Sequence, residues 1–218
     1  MAQNYMKQLT GRSVFGRSLT DIYDDYIELF QDKTEVDALS SLIRTYGRSL
    51  VFVKDKRFSS IITENIDTPK SIAIIGSNFP ITYMYILKKH FKDVHFKIID
   101  FSRIFEVTLE YSQFLFDVEF HKVNPLFNDI SDLIKDVDLI VYPETELLVP
   151  FNMLRYKNVG NVFCSNYYYM NNHLDINIVC SEDELEEICL LKSSIKGNVK
   201  LNNGEYIRPA FYCLGSSH

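Results

Sequence analysis

From residue 71 onward, strand-like runs, the first of them continuously apolar, alternate with helix-like stretches, and this alternation constrains the fold more than any other feature of the chain. The runs are SIAIIG (71–76), HFKIID (95–100), DVEFHKVN (117–124), DLIVYP (138–143) and GNVFCS (160–165). An unbroken apolar run is what a strand covered on both faces requires, because neither side chain parity meets water. Between the runs lie ITYMYILKKHF (81–91), with Pro80 at its first turn, SRIFEVTLEYSQF (102–114) and DISDLIKD (129–136), all read as helices. Strand–helix alternation predicts an α/β fold: a mostly parallel sheet with helices on both faces, joined by right-handed crossovers.

The last third breaks that pattern. DINIVC (175–180) reads as a further strand, and SEDELEEICLLKSS opens with Ser181 and has Glu184 three residues on, a capping-box signature for a helix start. NVKLNNGEYIRPAFYCL then places Asn203-Gly204 between two strand-like runs, which predicts an antiparallel β-hairpin. The terminal Gly-Ser-Ser-His is set aside as without functional content. Residues 1–66 are read as a mainly helical N-terminal extension, with Thr20 as an N-cap and Gly47 as a helix stop. SLVFV (49–53) and SSIIT (59–63) are left as short strands or helical ends. Asp67-Thr68-Pro69 breaks the chain, so residues 67–214 form the expected Rossmann-like domain.

Of 218 residues, 46% are hydrophobic, enough for one sizeable core and too many for a disordered chain. The formal net charge of −6 argues against a nucleic-acid-coating protein. No run reaches the ~20 apolar residues of a membrane span. Cys164, Cys180, Cys189 and Cys213 form no C-x-x-C pair and lie in apolar surroundings. They are expected to be buried, reduced thiols of a cytoplasmic protein, with no metal site. His95 and His121 fall on expected strands without a carboxylate at metal-ligand spacing, and His173 is a weak acid/base candidate.

The first strand ends at Gly76-Ser77-Asn78 and the second at Asp100, twenty-four residues later. In a parallel α/β sheet, ligands bind beyond the carboxyl ends of the strands. Glycine there permits a sharp turn and close approach of the backbone to a ligand. An acid at the next strand end accepts hydrogen bonds from both hydroxyls of a ribose. One glycine in place of three makes a poor pyrophosphate cradle and suits a nucleoside without phosphates.

Together with the Asn203-Gly204 hairpin, this order of elements resembles the class I S-adenosylmethionine-dependent methyltransferases over about residues 67–214. The resemblance implies S-adenosylmethionine as cofactor. It maps the first loop to Gly76, Ser77 and Asn78, the ribose acid to Asp100, an adenine-facing ring to Phe101 and the adenine-edge contact to Asn124. It maps the fourth-strand motif to Tyr142-Pro143-Glu144, where amino-methylating members carry Asn/Asp-Pro-Pro-aromatic and this chain has YPETE. Glu144 and Glu146 are then the candidates to take a proton from the acceptor, and Tyr142 to shape the methyl pocket. The expected activity is methyl transfer to a small molecule. The alternatives are other S-adenosylmethionine chemistry, such as cleavage, or an inactive Rossmann-like interaction protein. No membrane partner is expected, and self-association into a homo-oligomer is left open. SNYYYMNNH (165–173), just after the fifth strand, offers tyrosines and the amides Asn166 and Asn171 as an acceptor-pocket wall or a structural loop.

Overall fold

The computed structural model describes residues 50–77, 80–100, 116–124, 128–143, 145, 160–167, 179–202 and 207–217. In chain order the elements are α1 (Leu50–Asn65), β1 (Ser71–Ile75), α2 (Pro80–His90), β2 (His95–Asp100), β3 (Val118–Lys122), α3 (Ser131–Ile134) and β4 (Leu139–Tyr142). They continue with β5 (Asn161–Tyr167), α4 (Glu182–Ile188), β6 (Leu191–Asn202) and β7 (Ile207–Ser217). Seven strands form one sheet in the order β3-β2-β1-β4-β5-β7-β6. The first five are parallel, while β7 runs antiparallel to both β5 and β6. This is the Rossmann-like sheet with an antiparallel terminal pair that the sequence predicts. The sequence-expected helix at 102–114, the strand at 175–180 apart from its last two residues, and the Asn203-Gly204 turn lie outside the described residues.

The apolar runs become strands because both faces of the sheet are covered. On one face, Ile72 and Ile74 of β1, Phe96 and Ile98 of β2, and Leu139 and Val141 of β4 pack with Tyr83, Met84 and Leu87 of α2 and with Phe58 and Ile62 of α1. On the other, Ala73, Ile75, Ile99, Ile140 and Val162 pack with Ile134 of α3 and Leu185 of α4. The parity of two that separates these sets is that of a pleated strand. Pro80 is the first residue of α2, where its missing N–H costs no hydrogen bond. Lys88, Lys89 and His90 occupy the last turn of α2, at the negative end of its dipole.

The segments 49–53 and 59–63 resolve into one helix from Leu50. α1 joins the main core: the Phe58 ring lies 5.4 Å from that of Phe163 on β5 and 6.1 Å from that of Tyr212 on β7. At the amino edge of the sheet the Asp138 carboxylate accepts from the main-chain N–H groups of Lys70 (2.8 Å) and Ser71 (3.1 Å), tying the start of β1 to β4.

Two details go beyond the sequence reading. The helix that opens at Ser181 stops at Ile188, and β6 begins at Leu191, so the stretch Leu190–Ser194 is not helical. Its start is as expected: Glu184 N–H donates to the Ser181 hydroxyl (3.1 Å) and the Glu184 carboxylate accepts from Cys180 N–H (2.7 Å), the reciprocal capping box. Its end is set by Leu190, whose φ of 51° turns the chain out of the helix. Gly215, Ser216 and Ser217, set aside from the sequence, are part of β7. Val162 pairs with Gly215, and Leu191 pairs with Ser217.

Candidate functional site

The strand order reverses between β1 and β4, which opens a crevice at the carboxyl edge of the sheet. Gly76 leaves β1 with a left-handed φ of 58°, a conformation that costs a residue with a Cβ. Its N–H still donates to the Ile99 carbonyl (3.1 Å), so the turn starts while main-chain pairing to β2 persists. Ile75 is in register with Ile99, so Gly76 stands beside Asp100 across one strand spacing of about 4.8 Å. The Asp100 carbonyl accepts from Val123 N–H (3.0 Å), which fixes the chain leaving β3 just before Asn124.

Gly76 and Ser77, Asp100, and Asn124 therefore lie at or just beyond the carboxyl ends of three adjacent strands, β1, β2 and β3. Asp100 and Ser77 are each only 4% exposed. Asn124 is half-buried, and its carbonyl accepts from Asn128 N–H (3.1 Å) and from the Asn128 side chain (2.9 Å). Asn78, Phe101, Glu144 and Glu146 lie outside the described residues. Tyr142 is buried among Ile75, Ile99 and Cys164 on the α3–α4 face of the sheet.

A polar cluster at the ends of β4 and β5 was only partly foreseen. The Ser165 hydroxyl donates to the Pro143 carbonyl (2.7 Å). The Ser165 carbonyl accepts from both the N–H (3.1 Å) and the hydroxyl (3.0 Å) of Thr145. The Asn166 amide donates to the Thr145 hydroxyl (3.0 Å). All of these side chains are buried, so the bonds are made at low dielectric and hold Pro143 and Thr145 onto β5. Asn166 was anticipated as a polar contact; Thr145 and Ser165 were not, because only the β4–β5 register brings them together.

Two further groups of side chains lie outside the strand-end crevice, and of the four cysteines expected to be buried only Cys180 is exposed. His95 and His121 do find carboxylates: His95 lies 3.1 Å from Asp117, and His121 lies 3.3 Å from Glu119. The first pair reaches from β2 to the start of β3, and the second lies two residues apart on one face of β3. His121 and, with the opposite sign and less weight, burial act on Glu119, whose carboxyl ends below its ordinary range. The second group is Cys164, Cys189 and Cys213, all buried, whose sulfur atoms lie within 4.8 Å of one another. Cys164 and Cys213 are cross-strand partners and Cys189 is the C-cap of α4. Burial pushes the Cys164 and Cys189 thiols up. The Cys213 thiol is drawn down, because its sulfur accepts from the other two. A cavity of about 450 Å³ lined by Thr63, Asp67 and His90 opens at the amino edge of the sheet, away from the strand-end crevice.

No protein-family model and no curated protein sequence matches the chain. Solved structures do share its fold. The TM-score is 0.57 with MtNAS in complex with MTA and tNA, at 14% identity over 92% of this chain and 71% of that one. It is 0.56 with coclaurine N-methyltransferase bound to N-methylheliamine and SAH, at 11% identity over 73% and 72%. It is 0.55 with the S-adenosylmethionine-dependent methyltransferase SibL in its apo form, at 11% identity over 90% and 69%. The fold is thus that of the class I S-adenosylmethionine-dependent methyltransferases, in a divergent form. Among the described residues no helix is long and apolar enough to cross a membrane.

Proposed function

We propose that the chain binds S-adenosylmethionine at the carboxyl ends of β1 and β2 and transfers its methyl group to a small molecule. The observation that carries this reading is the left-handed Gly76 standing beside the buried Asp100, with its N–H bonded to Ile99. The Asp100 carboxylate would accept from both ribose hydroxyls, at the low dielectric where a charged acceptor is worth most. Gly76 and Ser77 would let the amino-acid part of the cofactor approach the main chain. Asn124 and Phe101 would meet the adenine. Glu144 or Glu146, the sequence neighbours of Thr145, which the β5 polar cluster anchors, would take the acceptor's proton, and Tyr142 would shape the methyl pocket. A sulfonium methyl is already activated, so alignment supplies most of the rate.

A second reading is supported by one comparison. MtNAS, whose fold this chain shares at a TM-score of 0.57, is in complex with MTA and tNA rather than with a methylation product. The same site would then hold S-adenosylmethionine for chemistry other than methyl transfer. An interaction protein without catalysis is the third reading, favoured by the single-glycine loop.

Calorimetric titration with S-adenosylmethionine and S-adenosylhomocysteine separates them. Binding that weakens on the order of 100-fold in Asp100→Ala, as loss of a buried charged acceptor implies, supports the nucleoside site. Product analysis then distinguishes methyl transfer from release of an unmethylated nucleoside fragment. Absence of heat with either ligand leaves the interaction reading.

A further inference from the structure

Three of the four cysteines, far apart in sequence, converge in the layer between the sheet and α4. Cys164 comes from β5, Cys213 from β7 and Cys189 from the C-terminus of α4. All three are fully buried, while Cys180 is exposed. Their sulfur atoms lie within 4.8 Å of one another. A point central to such a triangle is at most about 2.8 Å from each sulfur, against roughly 2.3 Å for a metal–thiolate bond. An inward shift of about half an ångström, within the reach of χ1 adjustments, closes that gap. Among the described residues no imidazole or carboxylate joins the three within the same distance.

We infer that Cys164, Cys189 and Cys213 form a closed, three-coordinate site for a soft, thiolate-seeking cation of the Cu(I) class. Soft sulfur donors select such an ion, and d¹⁰ Zn(II) would demand a fourth ligand that the described residues do not supply. Each thiol that becomes a thiolate ligand releases its proton to solvent on metal uptake. The Ser193 hydroxyl is buried and stands close to the Cys213 sulfur and the Glu186 carboxylate. It is placed to donate to that sulfur once ligated, the supporting role that groups around a metal usually fill. The site would bind β5, β7 and the end of α4 to one another. It lies one residue along β5 from Ser165, and so close to the polar cluster that holds Pro143 and Thr145.

The test is anaerobic titration of the reduced full chain with Cu(I), thiols being counted beforehand in unfolded protein, followed by challenge with a Cu(I) chelator. The site predicts one Cu(I) retained per chain, three sulfur neighbours by X-ray absorption and, at a hundredfold excess over Kd, a Tm rise of roughly 5–10 °C. Cys164→Ala and Cys213→Ala should lose retention, and Cys180→Ala should keep it. X-ray absorption on the unaltered chain gives the same answer if a core variant does not fold. No retained ion, retention unchanged in both Cys164→Ala and Cys213→Ala, retention lost in Cys180→Ala, or Zn(II) held in preference to Cu(I) would each overturn the inference.

Discussion

The parallel half of the sheet, β3-β2-β1-β4, and its antiparallel end, β5-β7-β6, place polar chemistry differently. In the parallel half the central strands β1 and β4 are short and almost wholly apolar, and the residues of the candidate site sit where strands stop: Gly76, Ser77 and Asp100. At the antiparallel end, β6 runs for 12 residues and β7 for 11, the described side chains of β6 alternate in exposure, and the sulfur groups lie inside the layer against α4. A strand covered on both faces can offer polar side chains only at its tip. At the antiparallel end only β6 has a wet face among the described side chains; Cys164 and Cys213 sit mid-strand on β5 and β7, buried with their neighbours, where small, weakly polar thiols fit against one another. The first arrangement makes a crevice open to a ligand; the second makes a closed cluster.

The strongest way to break this contrast is Phe58→Ala. Phe58 is fully buried and its ring meets Phe163 and Tyr212, so α1 clamps the antiparallel end. Truncation should cost about 3–5 kcal/mol in chemical denaturation. A single shifted transition would mean that both parts unfold as one unit, and a second transition that the antiparallel end melts separately. Gly215→Ala comes next. A Cβ there would lie 2.2 Å from the Lys192 carbonyl oxygen and 2.7 Å from Ser193 Cα, so backbone must move. A loss of about 1–3 kcal/mol is expected, with nucleoside affinity unchanged if the two parts are as independent as their chemistry suggests.

The smallest effect at neutral pH belongs to Glu186→Gln. The Lys196 ammonium and the Ser193 N–H beside Glu186 lower its carboxyl from 4.5 to about 2. Because the folded value lies below the ordinary one, this group adds stability above about pH 4.5 that is withdrawn as the pH falls toward 2. Glu186→Gln should therefore flatten the acid limb of a stability–pH curve recorded between those values. Exposure of the Lys196 end of the pair keeps the difference modest.

Most of the parallel half was legible in the sequence because its determinants are local. Two-face burial writes itself as SIAII and LIVY, and the capping box at Ser181 and Glu184 needs only four residues. The Gly76–Asp100 pair was legible because a ligand site at strand ends follows from the order of strands. The helix end was less legible than its start, because it is set by the positive φ of Leu190 and by the pairing of Leu191 onward with β7. The thiol cluster and the Thr145–Ser165–Asn166 network depend on register between distant segments. Cys164 and Cys213 are forty-nine residues apart in sequence and opposite each other in the sheet.

One consequence of the strand order concerns how the chain reaches its final form. β7 lies between β5 and β6 although both precede it in the sequence. Until it arrives, β5 presents a bare row of main-chain donors and acceptors, and β6 has no neighbour to pair with in the sheet. During synthesis the nascent molecule thus carries an open seam that only its closing segment can zip, and that interval is when it is most exposed to mispairing with another copy.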